Sequence, residues 1–98
     1  MLVARVRVTP TAASKATVVD TLTSEAARVP AEHDGCEAFS VALDTADGSI
    51  VLVEEWTTRE AFEGYTSSPG FAATMQTVGP LLAAPPDSAY YLGERVGP

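Results

Sequence analysis

The run Ile50-Val51-Leu52-Val53 is apolar at every position, and three of its four residues are β-branched. Preceded by the turn signal Asp47-Gly48 and continued through Glu54-Glu55 to Trp56, it predicts a strand, Ser49 to Trp56, covered on both sides. Side chains alternate along a strand. Ile50, Leu52, Glu54 and Trp56 therefore share one face, and Val51, Val53 and Glu55 the other. Whatever fold the chain adopts must cover both. With 98 residues, 46% of them hydrophobic and 19% charged, residues 1–98 form one domain with material for a single core.

The rest of the sequence supplies a cover for one face. Leu2 to Val8 alternates, with Leu2, Ala4, Val6 and Val8 on one side and Val3, Arg5 and Arg7 on the other, which is a strand closed by Pro10. From Ala12 to Val29, apolar residues recur at Val18, Leu22, Ala26 and Val29, a helical spacing that Pro30 is expected to stop. Cys36 to Leu43 is a second strand with Phe39, Val41 and Leu43 on one face, and Asp47-Gly48 turns it into the third. Thr57 stands three residues before Glu60, the capping-box spacing, and opens a short helix reaching about Gly64. Ser67-Ser68-Pro69-Gly70 opens another helix, with Phe71, Met75, Val78, Leu81 and Leu82, ended by Pro85-Pro86. Ser88 to Val96 is the last strand, and Gly97-Pro98 a loose tail. The order β-α-β-β-α-β predicts an α+β, ferredoxin-like fold: a four-stranded antiparallel sheet with helices on one face. The other face, with Val3, Val51, Val53 and Val41 or its neighbours, is left bare, and a second copy is the economical cover.

Charge and composition exclude several functions. Six Lys+Arg against 13 Asp+Glu give a net charge of −7, which repels nucleic acid and anionic membranes. No apolar run approaches the roughly 20 residues of a membrane span. One cysteine, Cys36, and one histidine, His33, rule out an intrachain disulfide and a one-chain zinc site, so no metal is expected. The N-terminus lacks the pattern of a signal peptide, and the expectation is a soluble cytoplasmic protein.

The run Glu54-Glu55-Trp56-Thr57-Thr58-Arg59-Glu60-Ala61-Phe62, followed by Ser67-Ser68-Pro69-Gly70-Phe71, resembles the signature of the antibiotic biosynthesis monooxygenase family: E-x-W at the end of strand three, an E-A-F-like helix, then an S-P-x-F step. Asp34-Gly35-Cys36-Glu37-Ala38-Phe39 is similar to the family's P-G-C-x-x-Y, departing at Asp34 and Phe39. The resemblance covers about residues 2 to 95 and implies a dimeric α+β barrel of two sheets packed face to face. It implies a cofactor-independent monooxygenase that oxidises a small aromatic, phenolic substrate, of anthrone or quinol type and polyketide-derived, with dioxygen as co-substrate. A polyketide cyclase or isomerase on the same fold, or a non-catalytic dimeric accessory protein, are the alternatives. The haem-degrading branch needs a histidine where this chain has Phe71-Ala72-Ala73-Thr74-Met75, and a first-strand asparagine absent from Leu2 to Val8.

Under that resemblance Trp56 is a pocket wall that stacks on the substrate or stabilises its anion through the indole N–H, or else a core tryptophan. Tyr65, where many members carry histidine, would relay a proton, or else end its helix in water. Arg5 or Arg7 would attract an anionic substrate, or pair with Glu54 or Glu55 at the surface or between subunits. Glu54 puts a carboxyl near the pocket, as a structural hydrogen-bonding group. Phe39, Phe71 and Met75 would line the cavity or form plain core, and Gln76 would orient a carbonyl or face solvent. His33 is read as an exposed loop residue and Cys36 as a small buried hydrophobe.

Overall fold

The computed structural model describes residues 1–97, so Pro98, the end of the expected tail, lies outside the described residues. Its strands are β1 (Leu2–Val8), β2 (Cys36–Leu43), β3 (Ile50–Trp56) and β4 (Asp87–Leu92). Its α-helices are α1 (Lys15–Glu32), α2 (Arg59–Thr66) and α3 (Pro69–Val78). The four strands form one antiparallel sheet in the order β2-β3-β1-β4, the ferredoxin-like arrangement. No helix among the described residues is long and apolar enough to cross a membrane.

Register fixes which side chains meet the helices. Leu2 stands opposite Trp56, Ala4 opposite Glu54, Val6 opposite Leu52 and Val8 opposite Ile50, all on the helix-covered face. In β2, Val41 pairs with Leu52 and so lies on this covered face too; the bare face carries its neighbours Ser40 and Ala42 instead. A bulge between Cys36 and Ala38 shifts the alternation, which lets both Cys36 and Phe39 point to the core side. The core has two buried groups, one around Leu2, Ala4, Val29, Trp56 and Tyr65, the other around Val8, Val18, Leu22, Ile50 and Val78. Phe39 packs against both. On the opposite face Val3 and Val51 are half-buried, while Val53 and Tyr91 are exposed.

Several element ends differ from the sequence reading, each for a local reason. Pro30 lies inside α1 rather than stopping it. In the last turn it deletes only one backbone bond, and the His33 N–H still donates to the Val29 carbonyl at 2.9 Å. The cap of α2 is Thr58, not Thr57: its Oγ1 accepts from the Ala61 N–H at 3.1 Å, while the Thr57 N–H is committed to the Gly35 carbonyl. The helix then runs on to Thr66. Ser68 caps α3 with Pro69 in its first turn, as the sequence suggests, but α3 ends at Val78 because Pro80 cannot continue the ladder. The β4 strand runs from Asp87 to Leu92, which pairs with Leu2, and the Gly93 N–H beyond it still donates to the Met1 carbonyl at 3.0 Å.

Candidate functional site

Between the sheet and helices α1, α2 and α3 lies a cavity of about 180 Å³. Leu22 of α1, Phe39 of β2, Leu52 of β3, Phe62 and Tyr65 of α2, and Phe71, Met75 and Val78 of α3 give it apolar walls. Ser88 and Tyr90 of the exposed strand β4 stand at its rim. An apolar cavity of roughly 150 Å³ takes up a benzene molecule, so this one has room for a single aromatic ring.

Two carboxyl groups reach the cavity from opposite sides, and their surroundings differ. Glu25 of α1 is only 3% exposed and accepts three hydrogen bonds. Its Oε1 accepts from Arg28 at 2.5 Å and from Thr74 at 2.9 Å, and its Oε2 accepts from the Tyr65 hydroxyl at 2.6 Å. The pair with Arg28 balances its charge, so burial is tolerated. Glu54 of β3 is 4% exposed and has no cationic partner among the described residues. Its Oε1 accepts from the Trp56 indole N–H at 3.0 Å. Its Oε2 has no protein partner among the described residues, yet no buried side-chain polar atom there is left unsatisfied. That oxygen therefore keeps accessible surface, and the open space beside Glu54 is the cavity.

The electrostatics follow from this asymmetry. Burial pushes the Glu54 carboxyl up to about 7 from its ordinary 4.5; the Trp56 N–H offsets part of the rise and the nearby charge of Glu25 adds to it. Burial also pushes the Tyr65 phenol above its usual range, and the bond it donates to Glu25 holds its proton further. Tyr65 is thus a hydrogen-bonded wall whose own proton is already engaged, and Glu54 is the group in the cavity able to exchange a proton near neutrality.

Trp56 is completely buried behind this wall, stacked on Tyr65 with ring centroids 5.3 Å apart, and does not itself line the cavity. Its link to the site runs through Glu54. Phe39, Phe71 and Met75 do line it, whereas Gln76 is exposed on α3 away from it. Arg5 and Arg7 project from the opposite face of the sheet. Arg7 pairs with Asp44 at 2.9 Å and donates to Ser49, and Glu55 pairs with Arg95 at 3.1 Å, so within one chain the described residues form no pair between a strand-one arginine and Glu54 or Glu55. His33 is half-buried rather than out in a loop, its ring edge-on to Tyr65 at 5.5 Å and Trp56 at 6.2 Å. Among the described residues, no group of three or more His, Cys, Asp or Glu is arranged to hold a metal ion.

Sequence reasoning missed Glu25 and Thr74. The buried stripe of α1 is Val18, Leu22, Glu25 and Val29, with Ala26 only half-buried beside it. An acidic residue at a core position of a helical stripe was the available signal.

The sequence model of the antibiotic biosynthesis monooxygenase family matches residues 1–77, which hold every site residue named above except Val78 and those of β4. The chain belongs to this family. Among solved structures, Rv0793 from Mycobacterium tuberculosis superposes with a TM-score of 0.90 at 21% identity, covering 99% of this chain and 98% of that one. A Deinococcus radiodurans protein described as a candidate antibiotic biosynthesis monooxygenase gives 0.89 at 20% identity, covering 99% and 97%. A similarly described Caulobacter crescentus protein gives 0.90 at 19%, covering 96% and 90%. At such identities these likenesses establish the fold. No curated protein matches the chain in sequence. Family membership supports monooxygenase-type chemistry as the general function.

The state of Glu54 has a consequence for stability. A carboxyl whose folded pKa lies above its unfolded value binds more protons in the folded state, so stability falls as pH rises between the two. The Glu54 contribution is intact below about 4.5, is lost progressively up to about 7, and stays lost above. The loss is on the order of 3 kcal/mol. Glu54→Gln, which keeps an acceptor for Trp56 without the charge, is expected to gain that amount relative to the native chain between acid and neutral pH, read by urea unfolding. A stability difference independent of pH would contradict the assignment.

Proposed function

We propose that the protein is a cofactor-independent monooxygenase that oxidises a small phenolic ring in the cavity with dioxygen, Glu54 acting as the base. The observation that carries this is the Glu54 Oε2, free of protein partners in an apolar cavity the size of one ring. A neutral phenol bound there gives its activating proton to Glu54. Charge moves from carboxylate to substrate without a new charge being created in the apolar site. The electron-rich anion then reduces dioxygen. One oxygen atom ends as a ring carbonyl and the other leaves as water, so a phenol plus dioxygen gives a quinone plus water. Trp56 holds the carboxyl in place, and Phe39, Phe71 and Met75 exclude solvent.

Oxygen uptake by metal-stripped protein with monocyclic phenols and hydroquinones, net of the uncatalysed rate, is the test. The catalysed rate is expected to rise with pH to a plateau above about 7, following Glu54 ionisation. Glu54→Gln is expected to lose roughly 10²–10⁴-fold. Turnover that persists without dioxygen would point instead to a cyclase or isomerase using the same base, and no turnover of any phenol would leave a binding protein.

The functional unit is a homodimer closed through the bare sheet face. Support comes from Val51 and Val53 on that face, with Val53 38% exposed, together with Val3 and Tyr91. Each Val gains roughly 1.5–3 kcal/mol on full burial. Sedimentation is expected to give twice the chain mass, and Val53→Asp to give monomers. A native monomer at micromolar concentration, or a dimer indifferent to Val53→Asp, would overturn the sheet-to-sheet arrangement.

A further inference from the structure

The donors and acceptors of the cavity are sorted by depth. Each inner donor is already committed within the chain. The Tyr65 hydroxyl donates to Glu25 at 2.6 Å, the Thr74 hydroxyl to Glu25 at 2.9 Å, the Thr66 hydroxyl to the Glu63 carbonyl at 3.2 Å, and the Trp56 indole to Glu54 at 3.0 Å. What remains inside is acceptor capacity: Glu54 Oε2 and the second lone pair of the Tyr65 oxygen. Glu25 already accepts from Arg28, Thr74 and Tyr65, so of its four acceptor sites one, on Oε2, remains, and it too is an acceptor. The hydroxyls with no partner among the described residues, on Ser88 and Tyr90, belong to the exposed strand at the rim.

A site of this polarity discriminates by charge and by hydrogen-bond sense, beyond size. A ring hydroxyl pointing inward supplies the donor that Glu54 Oε2 lacks, in surroundings where a buried acceptor left unpaired is costly. A purely apolar ring fills the space but leaves that oxygen stranded. A carboxylate-bearing ring brings a second negative charge beside Glu54 with no free inner donor to receive it. We propose that the cavity selects a neutral, hydroxyl-bearing single ring bound hydroxyl-inward, with any acceptor substituent directed to Ser88 and Tyr90 at the rim, and rejects anionic rings. This assignment deepens the oxygenase reading and rests on the same Glu54.

Binding can be measured without turnover, by calorimetry under argon at about pH 8, where Glu54 is ionised. The probes are phenol, toluene, benzoate and benzaldehyde, all of one ring. Native protein is expected to bind phenol about tenfold or more tighter than toluene, since a hydrogen bond to a charged group is at stake. Benzoate is expected not to bind. Glu54→Gln supplies the inversion. Its amide oxygen takes the Trp56 N–H, which turns the amide NH₂ toward the cavity and makes the inner acceptor a donor. The phenol-over-benzaldehyde preference of the native protein is then expected to shrink or reverse. Phenol and toluene binding alike, benzoate binding as well as phenol, or a preference unmoved by Glu54→Gln would overturn the assignment. Phenol selection with no oxygen uptake would uphold it while removing the oxygenase reading. Oxygen uptake with phenol and toluene bound alike would do the reverse.

Discussion

The hydrogen bond from the Trp56 indole to Glu54 Oε1 holds the site in its working form. Both residues lie on the helix-covered face of β3, two positions apart, so the strand itself sets their spacing. The indole fixes one carboxyl oxygen and leaves the other to the cavity. It also supplies part of the stabilisation that lets a carboxyl remain in a buried place at all. The stack of Tyr65 on the far side of Trp56 ties α2 to the same pair. In the E-x-W segment the tryptophan thus reaches the cavity only through the glutamate, whose second carboxyl oxygen has no partner among the described residues.

Tyr65 joins this arrangement to a second one. Its ring packs on Trp56 while its hydroxyl anchors to Glu25, which in turn holds Thr74 of α3 and is balanced by Arg28 at the surface. One buried carboxylate thereby fastens three helices above the sheet. The two acidic groups differ in their partners: Glu25 is held by Arg28, Thr74 and Tyr65 and fixes the frame, whereas Glu54 is held by Trp56 alone. Arg28 sits one helical turn from Glu25, whereas among the described residues no cation pairs with Glu54.

Much of the frame was legible in the sequence because its signals are local. The alternation of Leu2–Val8, the Asp47-Gly48 turn and the apolar run of β3 each depend on neighbours within a few residues, and they fixed the strands, the order and the bare face. Phe39, Phe71 and Met75 were found as wall residues for the same reason. The Glu25 network was hidden because its partners Tyr65 and Thr74 lie 40 and 49 residues away, so nothing nearby explains a buried acid on α1. The face of Arg7 was legible from strand parity, but its partners Asp44 and Ser49 were not, because they come from the β2–β3 hairpin. Glu54 was recognised by parity as near the pocket, but its free oxygen is a property of three-dimensional packing, visible only once Trp56 is seen to occupy the other.

The central claim is that Glu54 holds or releases a proton near neutrality while facing the cavity. Carbon-13 NMR of the side-chain carboxyl, with Glu54 assigned by its disappearance in Glu54→Gln, reads this directly. The account predicts a titration midpoint at about 7; a midpoint at the ordinary carboxyl value near 4.5 would contradict it.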